Sequence, residues 1–564
     1  MTFQQFKPGL LMALVLAAIT SLPQIYLCYH RGSEWAGEYA YFDTDELAYS
    51  AYVNAITNNR PRRNDPYTAN DSSTFETLYS IQFIPPYSIA ITARLLRISA
   101  STAFIILTPI ITIASALILF SFLFQFSEKP LLSALGAGAA LCFGGFFGQV
   151  PWDFLALHLA FPFLRRYMPA FGFPFFLAMP LCVWKAVVGN SLRWAIVAGL
   201  ILIILIYSYF FLWTATVVWL GVLLGSWLLA RPAPLRSMMR LITVIGIMGG
   251  TALIPYAWLL AQRRPILDQS HLLEFTHRPD LFRGPEVYCV FIIVALMVSK
   301  SREYWRSPKA LFTLSFALAP FVLFNQQVIT GRSLQPFHYD QFVANYWMLI
   351  AVSLVLGTSW RLSKLVQLCL AALAISLAFL YGDLIARGRL PRNLEADRGR
   401  AVAFKLDGKG LVFASNQHLT NSLSTTTSNP VLWARYMFTF SLSLEEQRHR
   451  FSQYLYYSGV DGEDLRRLLE RERGTPRVEI FGAARANPVV ASNPAPITPQ
   501  DIEQAVAEYV RFSSTFGPVD AARPRLSYAI VAPADNLSNL DRWYERDSGE
   551  RVGDYILYRL KLRE

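Results

Sequence analysis

Three carboxylates stand within four positions in residues 41–49, which read Tyr-Phe-Asp-Thr-Asp-Glu-Leu-Ala-Tyr. Carboxylates at this spacing suit general acid–base chemistry, and they equally suit the capping of a helix. Asp43 and Glu46 have capping-box spacing, and an apolar stripe follows them. Asp45 projects from the first helical turn toward the side of Tyr49 and has no such task. The pattern leaves both readings open, with Asp45 as the candidate for catalysis.

A second polar segment, residues 325–340, reads Asn-Gln-Gln-Val-Ile-Thr-Gly-Arg-Ser-Leu-Gln-Pro-Phe-His-Tyr-Asp between two apolar runs. Thr330-Gly331 predicts a turn. Arg332, His338 and Tyr339 offer one ligand a phosphate contact, a proton-sharing imidazole and a hydroxyl. The alternative is a loop whose polar side chains satisfy its own backbone.

Metal and nucleic-acid sites are not indicated. His271 and His277 are six residues apart, which fits no standard metal-ligand pattern, and His271 remains a candidate for substrate contact. The net charge is +12, but the basic residues are scattered between apolar segments, which argues against nucleic-acid binding. The five cysteines all fall in or beside apolar runs, so no disulfide framework is expected and all are predicted to be buried: Cys28, Cys142, Cys182, Cys289 and Cys369.

The elements that carry these residues are predicted to be membrane helices. The chain is 54% hydrophobic and only 16% charged, and its apolar residues form runs of the roughly 20 residues that span a bilayer. The N-terminal run is read as a retained span rather than a cleaved signal peptide. About eleven spans are expected, at residues 10–28, 102–126, 131–150, 168–188, 193–208, 212–229, 237–260, 286–299, 309–326, 344–360 and 364–382.

Charge predicts the orientation of these spans in a cell (inner) membrane. With Lys7 and the N-terminus in the cytoplasm, the basic loops fall on the inside, as the positive-inside rule requires. The C-terminal domain is then periplasmic or extracellular. Residues 81–96 are interrupted by Pro85 and Pro86 and are predicted to be interfacial. Four segments should converge on the outer face and line one site: 29–100, 151–167, 261–285 and 327–343.

The chain is predicted to divide into a membrane module, residues 1–390, and a soluble α/β domain, residues 391–564. Strands are expected at 410–415, 526–533 and 552–562, and helices should begin at Ser443 and Thr498. The domain has no glycine-rich phosphate loop and no nucleophile elbow, so no chemistry is assigned to it. It is expected to cap the outer cavity, to hold the acceptor, or to be a structural appendage.

The acidic motif resembles that of the GT-C superfamily, multispanning glycosyltransferases that use polyprenyl-phosphate sugars. Asp45-Glu46 followed by Tyr49 is similar to the Asp-Glu of its protein mannosyltransferase and aminoarabinose transferase branch. Ile84-Pro85-Pro86-Tyr87 is similar to the His-Pro-Pro-Leu region of that branch, although the His is absent. The resemblance covers residues 1–390 as an order of elements.

The resemblance implies an inverting transfer of sugar from a polyprenyl-phosphate donor to an acceptor on the outer face. The acceptor would be a glycan, a lipid or a protein, and membrane lipids would surround the helices. Asp45 would be the general base, with Asp43 and Glu46 beside it. The lipid-phosphate leaving group calls for cations, and Arg has the suitable fork. The candidates for the donor phosphate and substrate are Arg165, Arg166, Arg332, His338, Tyr339 and His271. The only cofactor left open is a divalent cation, for which no ligands are assigned.

Two rival functions remain at this stage. A transporter or flippase of lipid-linked saccharides would place ionisable residues in the middle of the membrane, whereas here the carboxylates stand at its edge. A polymerase or ligase of surface polysaccharide would also use the outer loops, but would depend on Arg and His more than on an early Asp.

Overall fold

The computed structural model describes residues 2–564 except 72–73, 146–162, 233–234, 265–272, 276–278, 280, 301–302, 335, 360–362, 441, 472–473 and 487–494. The first 403 residues contain the helices α1 (Phe3–Arg31), α2 (Asp45–Thr57), α3 (Leu78–Ile81), α4 (Ile84–Leu96), α5 (Ala100–Ser127), α6 (Pro130–Phe143), α7 (Phe173–Val188), α8 (Leu192–Ile206), α9 (Phe210–Ala230), α10 (Leu235–Ala261), α11 (Gly284–Ser299), α12 (Pro308–Asn325), α13 (Gln327–Thr330), α14 (Pro336–Tyr339), α15 (Asn345–Ser359) and α16 (Lys364–Ala403). A π-helix, Asp340–Ala344, joins α14 to α15, and two short strands, β1 (Leu273–Phe275) and β2 (Arg332–Leu334), pair with each other.

Within the described residues, eight helices are long and apolar enough to cross a membrane: α1, α5, α7, α9, α10, α12, α15 and α16. Three shorter apolar helices, α6, α8 and α11, lie between them in the chain. Together they match the eleven predicted segments in order, so the polytopic helical fold is confirmed. α4 has 13 residues and therefore spans about 20 Å, which is shorter than the hydrocarbon core.

Small residues allow the helices around α1 to approach closely. A Cβ atom at Gly382 of α16 would lie 2.7 Å from Ile19 Cγ2 of α1. A Cβ atom at Gly138 of α6 would lie 2.6 Å from the sulfur of Met12. A side chain at either position would have to displace Ile19 or Met12. α1 is thus held between α6 and α16, and this fixes where the first loop leaves the bundle.

One prediction about the cysteines is wrong. All five are free, as expected, but Cys369 is exposed and Cys28 is only partly buried. Cys369 lies on α16, the span with the smallest buried share, 22% of its most apolar window. An apolar run therefore predicts contact with a nonpolar environment, which in a membrane helix includes lipid as well as protein.

The C-terminal region is α/β, as predicted. Its strands are β3 (Val412–Ala414), β4 (Tyr528–Val531), β5 (Tyr544–Arg546), β6 (Glu550–Val552) and β7 (Tyr555–Leu562). The sheet order is β3-β4-β7-β5, with β6 also paired to β7, and only β3 and β4 are parallel. The helices are α17 (Gln417–Leu423), α18 (Leu444–Tyr457), α19 (Gly462–Arg471), α20 (Thr475–Phe481), α21 (Ala483–Ala486), α22 (Pro499–Thr515), α23 (Pro518–Ala522) and α24 (Ser538–Asp541). Ser443 and Thr498 cap α18 and α22, as their spacing predicts.

α16 continues through position 390, where the sequence predicts the domain boundary, and contacts the first loop. Its Asn393 Oδ1 accepts a hydrogen bond from the amide of Tyr41 at 2.8 Å. Its Asp397 accepts from the amide of Ala36 at 3.0 Å and pairs with Arg31 at 2.8 Å. These contacts hold residues 31–41 against α16, directly before the acidic motif.

Candidate active site at the acidic motif

The four segments predicted to converge are in contact in the structure. Strand β1 of segment 261–285 pairs with β2 of segment 327–343, with Phe275 opposite Arg332. The amide of Glu76 in the first loop donates to the carbonyl of Gln262 at 3.2 Å. Arg165 of segment 151–167 pairs with Asp43 and Asp45 of the first loop. The acidic motif itself lies where the first loop meets segment 151–167.

Asp43 caps α2, which confirms that prediction. Its Oδ1 accepts hydrogen bonds from the amides of Asp45 at 3.0 Å and Glu46 at 3.2 Å. These amides are among the donors that a helix start leaves unsatisfied. The reciprocal bond differs from a capping box, because the Glu46 carboxylate accepts from the amide of Phe42 at 2.6 Å.

Glu46 is buried, with a side chain that is 1% exposed. Its Oε1 accepts from the amide of Arg166 at 3.0 Å and pairs with Nη1 of that residue at 3.4 Å. Burial raises the pKa of Glu46 to about 7. Glu46 thus links Arg166 to the start of α2, and its carboxylate is not accessible to a substrate.

Arg166 lies inside the protein rather than on an open surface. Its Nη1 donates to the carbonyl oxygens of Ala40 at 2.7 Å and Leu164 at 3.1 Å. The guanidinium rests over the ring of Tyr39, 4.8 Å from its centroid. These contacts indicate that Arg166 has a structural role.

Arg165 joins the other two carboxylates. Its Nε lies 2.9 Å from Asp43 Oδ2, and its Nη2 pairs with Asp45 Oδ2. The guanidinium also lies over the rings of Tyr49, at 5.5 Å, and Phe342, at 5.9 Å. With only 6% of its side chain exposed, Arg165 supplies a fixed positive charge between Asp43 and Asp45.

Asp45 is the most exposed of the three carboxylates: its side chain is 45% exposed, against 30% for Asp43 and 1% for Glu46. Its Oδ1 accepts a hydrogen bond from the hydroxyl of Tyr436 at 2.7 Å. Desolvation opposes its ionisation, but Arg165 and the Tyr436 hydroxyl outweigh desolvation and lower the pKa of Asp45 below its ordinary value.

The pKa of Asp43 shifts the other way. Desolvation raises the pKa of Asp43, the charge of Asp45 adds to the rise, and Arg165 opposes it without reversing it. The environment therefore shifts the pKa values of the two neighbouring carboxyl groups in opposite directions. Asp45 favours its charged form more strongly than Asp43 does.

Tyr436 is the site residue that sequence reasoning missed. It lies in the C-terminal region, beside a 3₁₀ turn at Met437–Thr439, and 391 positions separate it from Asp45. Its hydroxyl also lies 2.9 Å from Thr44 Oγ1. Four residues later, Phe440 stacks on Tyr79 of the first loop, with centroids 4.6 Å apart and planes inclined by 7°. No local signal marks Tyr436, because its role arises from this packing.

The other predicted site residues do not all lie at the acidic motif. His338 stacks on Phe211, with centroids 4.6 Å apart, and its charge adds to the lowering of the Asp45 pKa. Tyr339 is buried and its hydroxyl lies 2.9 Å from Thr214 Oγ1 of α9, inside the helix bundle. Arg332 belongs to β2, and its side chain lies outside what the structure describes. His271, like His277, lies outside the described residues.

A divalent cation does not fit the described carboxylates well. Within the described part of the chain, no three His, Cys, Asp or Glu side chains form a group that could hold a metal ion. The paired oxygens of Asp43 and Asp45 already share the guanidinium of Arg165. A metal ion bound to the same oxygens would stand against this fixed positive charge.

Comparison with known proteins found similarity to solved structures alone: no protein-family model and no curated protein matches the chain. The chain is similar to ArnT from Cupriavidus metallidurans bound to undecaprenyl phosphate, with 10% sequence identity and a TM-score of 0.46 over 97% of both chains. It is also similar to the apo state of that protein, with 11% identity and a TM-score of 0.45 over 96% of this chain and 98% of the other.

Proposed function

We propose that the chain is an integral-membrane glycosyltransferase of the outer face, which transfers a sugar with inversion from a polyprenyl-phosphate donor to an acceptor hydroxyl. The observation that supports this proposal most is that the Asp45 side chain is accessible and favours its ionised form. Arg165 and Tyr436 favour this form, and the side chain stands just beyond the first membrane helix. A group in this state can accept a proton, whereas Asp43 caps a helix and Glu46 is buried.

Asp45 can receive the acceptor without losing its two partners. Each carboxylate oxygen accepts more than one hydrogen bond, and the exposed part of the side chain leaves room for a hydroxyl. As the acceptor oxygen attacks the anomeric carbon, its proton passes to Asp45. The bond from that carbon to the phosphate oxygen breaks, and the lipid phosphate leaves with the electron pair.

The leaving phosphate needs positive charge on the donor side of the site. We assign this role to Arg332 and His338, which belong to one short stretch of chain beside the π-helix. Phe342 lies between His338 and the cation that pairs with Asp45: its ring centroid is 5.9 Å from that of His338 and 5.9 Å from the guanidinium carbon of Arg165. The acceptor is a glycan, a lipid or a protein.

The test is a transfer assay with the purified protein in nanodiscs, using radiolabelled polyprenyl-phosphate sugars and a membrane extract as the source of acceptor. Acceptor-dependent release of polyprenyl phosphate is the expected result. Intact donor that crosses the bilayer of proteoliposomes without cleavage would contradict the proposal and indicate a flippase.

The donor contacts have their own test. Arg332→Lys keeps the charge but loses the bidentate fork, and His338→Ala removes the imidazole, so both should weaken binding of the donor. Unchanged donor affinity in both variants would remove these residues from the site while leaving the role of Asp45 open to its own measurement.

A further inference from the structure

An open recess lies beside the acidic motif, between the first loop, α16 and α17. Asp43 and Phe42 line it from the loop, Arg389 and Arg392 from α16, and His418 from α17. α16 has 40 residues and is therefore about 60 Å long, twice the hydrocarbon thickness. The two arginines stand in its second half, which extends out of the membrane.

The two arginines differ from their neighbours, which form direct ion pairs. On the same side of the protein, Arg31 pairs with Asp397 at 2.8 Å and Arg400 with Glu38 at 3.4 Å. Neither Arg389 nor Arg392 has an ion-pair partner among the residues that the structure describes. Arg389 is half-buried, with its guanidinium 5.4 Å from the centroid of the Phe42 ring. A partly desolvated guanidinium outside a direct ion pair is costly, and Arg392 adds a like charge to Arg389. The charge of Asp43 offsets part of this cost, and a bound anion would offset the rest.

We propose that this recess binds an anionic group, a phosphate or a carboxylate, carried by the acceptor substrate. This inference rests on the proposed function and adds the chemical class of the acceptor to it. Arg389 and Arg392 both line the recess, and each guanidinium carries the planar fork that can bind such a group bidentately. The neighbouring Phe42 ring offers an apolar surface to the rest of the acceptor.

The position of the recess assigns it to the acceptor rather than to the donor. Asp43 lines the recess and shares Arg165 with Asp45, so a molecule held there lies next to the base. His338, one of the two residues assigned to the donor phosphate, does not line the recess in the part of the chain that the structure describes. The acceptor and the donor would thus reach Asp45 from different elements of the protein.

The binding test uses inorganic pyrophosphate as the probe and the full-length protein in a neutral maltoside detergent, with titration calorimetry as the readout. The wild type should bind pyrophosphate, and Arg389→Gln/Arg392→Gln should weaken binding by at least about tenfold. Arg389→Lys, which keeps the charge, should give an intermediate value. Arg387→Gln is the matched control, because it removes one positive charge two residues away, where Arg387 pairs with Asp383. Its affinity should equal that of the wild type.

Pyrophosphate binding that survives the double substitution would overturn the recess as an anion site, provided that the variant melts at the temperature of the wild type. Displacement of the probe by farnesyl phosphate would assign the recess to the donor, and displacement by phosphatidylglycerol in nanodiscs would assign it to a lipid headgroup. Either result overturns the assignment to the acceptor.

The transfer assay completes the test. Pyrophosphate should inhibit transfer in competition with the acceptor and not with the donor, and this inhibition should disappear in the double variant. The protein could bind pyrophosphate through the two arginines and yet transfer no sugar. This result would overturn the proposed function and the assignment of the recess to the acceptor, but the anion site itself would stand. The two failures are therefore distinguishable.

Discussion

Replacing Tyr436 with Phe removes one hydroxyl and leaves the ring that packs against the first loop. The hydroxyl donates to Asp45 Oδ1 at 2.7 Å. In the variant, Arg165 is the remaining side chain that contacts the Asp45 carboxylate among the described residues. Because a donated hydrogen bond favours the ionised carboxyl, its loss should raise the pKa of Asp45. The acid limb of the pH–rate profile should then move to higher pH.

The size of the effect follows from the bond and from exposure. A hydrogen bond to a charged group contributes about 1.5–3 kcal/mol, and the lower end applies because Asp45 is 45% exposed and water replaces part of the bond. About 1.4 kcal/mol corresponds to one pKa unit. We therefore expect the acid limb of the pH–rate profile to move up by about one pH unit, whereas the rate near neutral pH, where Asp45 stays ionised, and the affinity for the donor should change little.

The assay is acceptor-dependent release of polyprenyl phosphate, measured across pH for the wild type, Tyr436→Phe and Tyr454→Phe. Tyr454 is the matched control, since its hydroxyl donates to the carbonyl of Ser415 at 2.9 Å, away from the acidic motif. Tyr454→Phe should lose stability without moving the acid limb. A Tyr436→Phe profile identical to that of the wild type would refute the positioning of Asp45 by the C-terminal region.

Three further predictions concern the other carboxylates and the topology. Asp43→Asn should keep the melting temperature within a few degrees and retain transfer, because Asn also caps well, whereas Asp43→Ala should lose about 1 kcal/mol of stability. Folding raises the pKa of Glu46 from 4.5 to about 7, so its stabilising contribution is complete below pH 4.5 and is lost as the pH rises through about 7. The stability advantage of the wild type over Glu46→Gln, measured by thermal unfolding, should therefore shrink over that interval, and a constant difference would contradict the buried position. Glu463→Cys, at an exposed site of the C-terminal region, should react in intact cells with a membrane-impermeant thiol reagent, and reaction only after lysis would reverse the orientation.

The membrane architecture could be predicted because its signals are local. Each span is a contiguous apolar run of a length that the bilayer sets, so its position follows from a short stretch of sequence. Capping by Asp43 and the strands at Val412–Ala414 and Tyr528–Val531 were predictable for the same reason. The strands at Tyr544–Arg546 and Glu550–Val552 were not predicted as separate elements, because each contains two charged residues and lacks the apolar run that marks Val412–Ala414.

The candidate site was predictable only in part, since its partners come from distant positions. The adjacent arginines Arg165 and Arg166 are equivalent in the sequence, yet one pairs with Asp45 and the other is buried against carbonyl oxygens. Tyr436 and Arg389 reach the first loop only through the packing of the C-terminal region and the length of α16. Such long-range contacts leave no pattern in the residues around them.

The most direct measurement of the central claim is single-turnover transfer by Asp45→Asn. The substitution keeps the size of the side chain and removes its capacity to take a proton, so transfer should fall by at least about a hundredfold. Donor binding and melting temperature should stay at the wild-type values, with Asp43→Asn remaining active beside it. Full transfer by Asp45→Asn would contradict the account: together with an inactive Asp43→Asn it would move the base to Asp43, and together with an active one it would end the carboxylate-base mechanism.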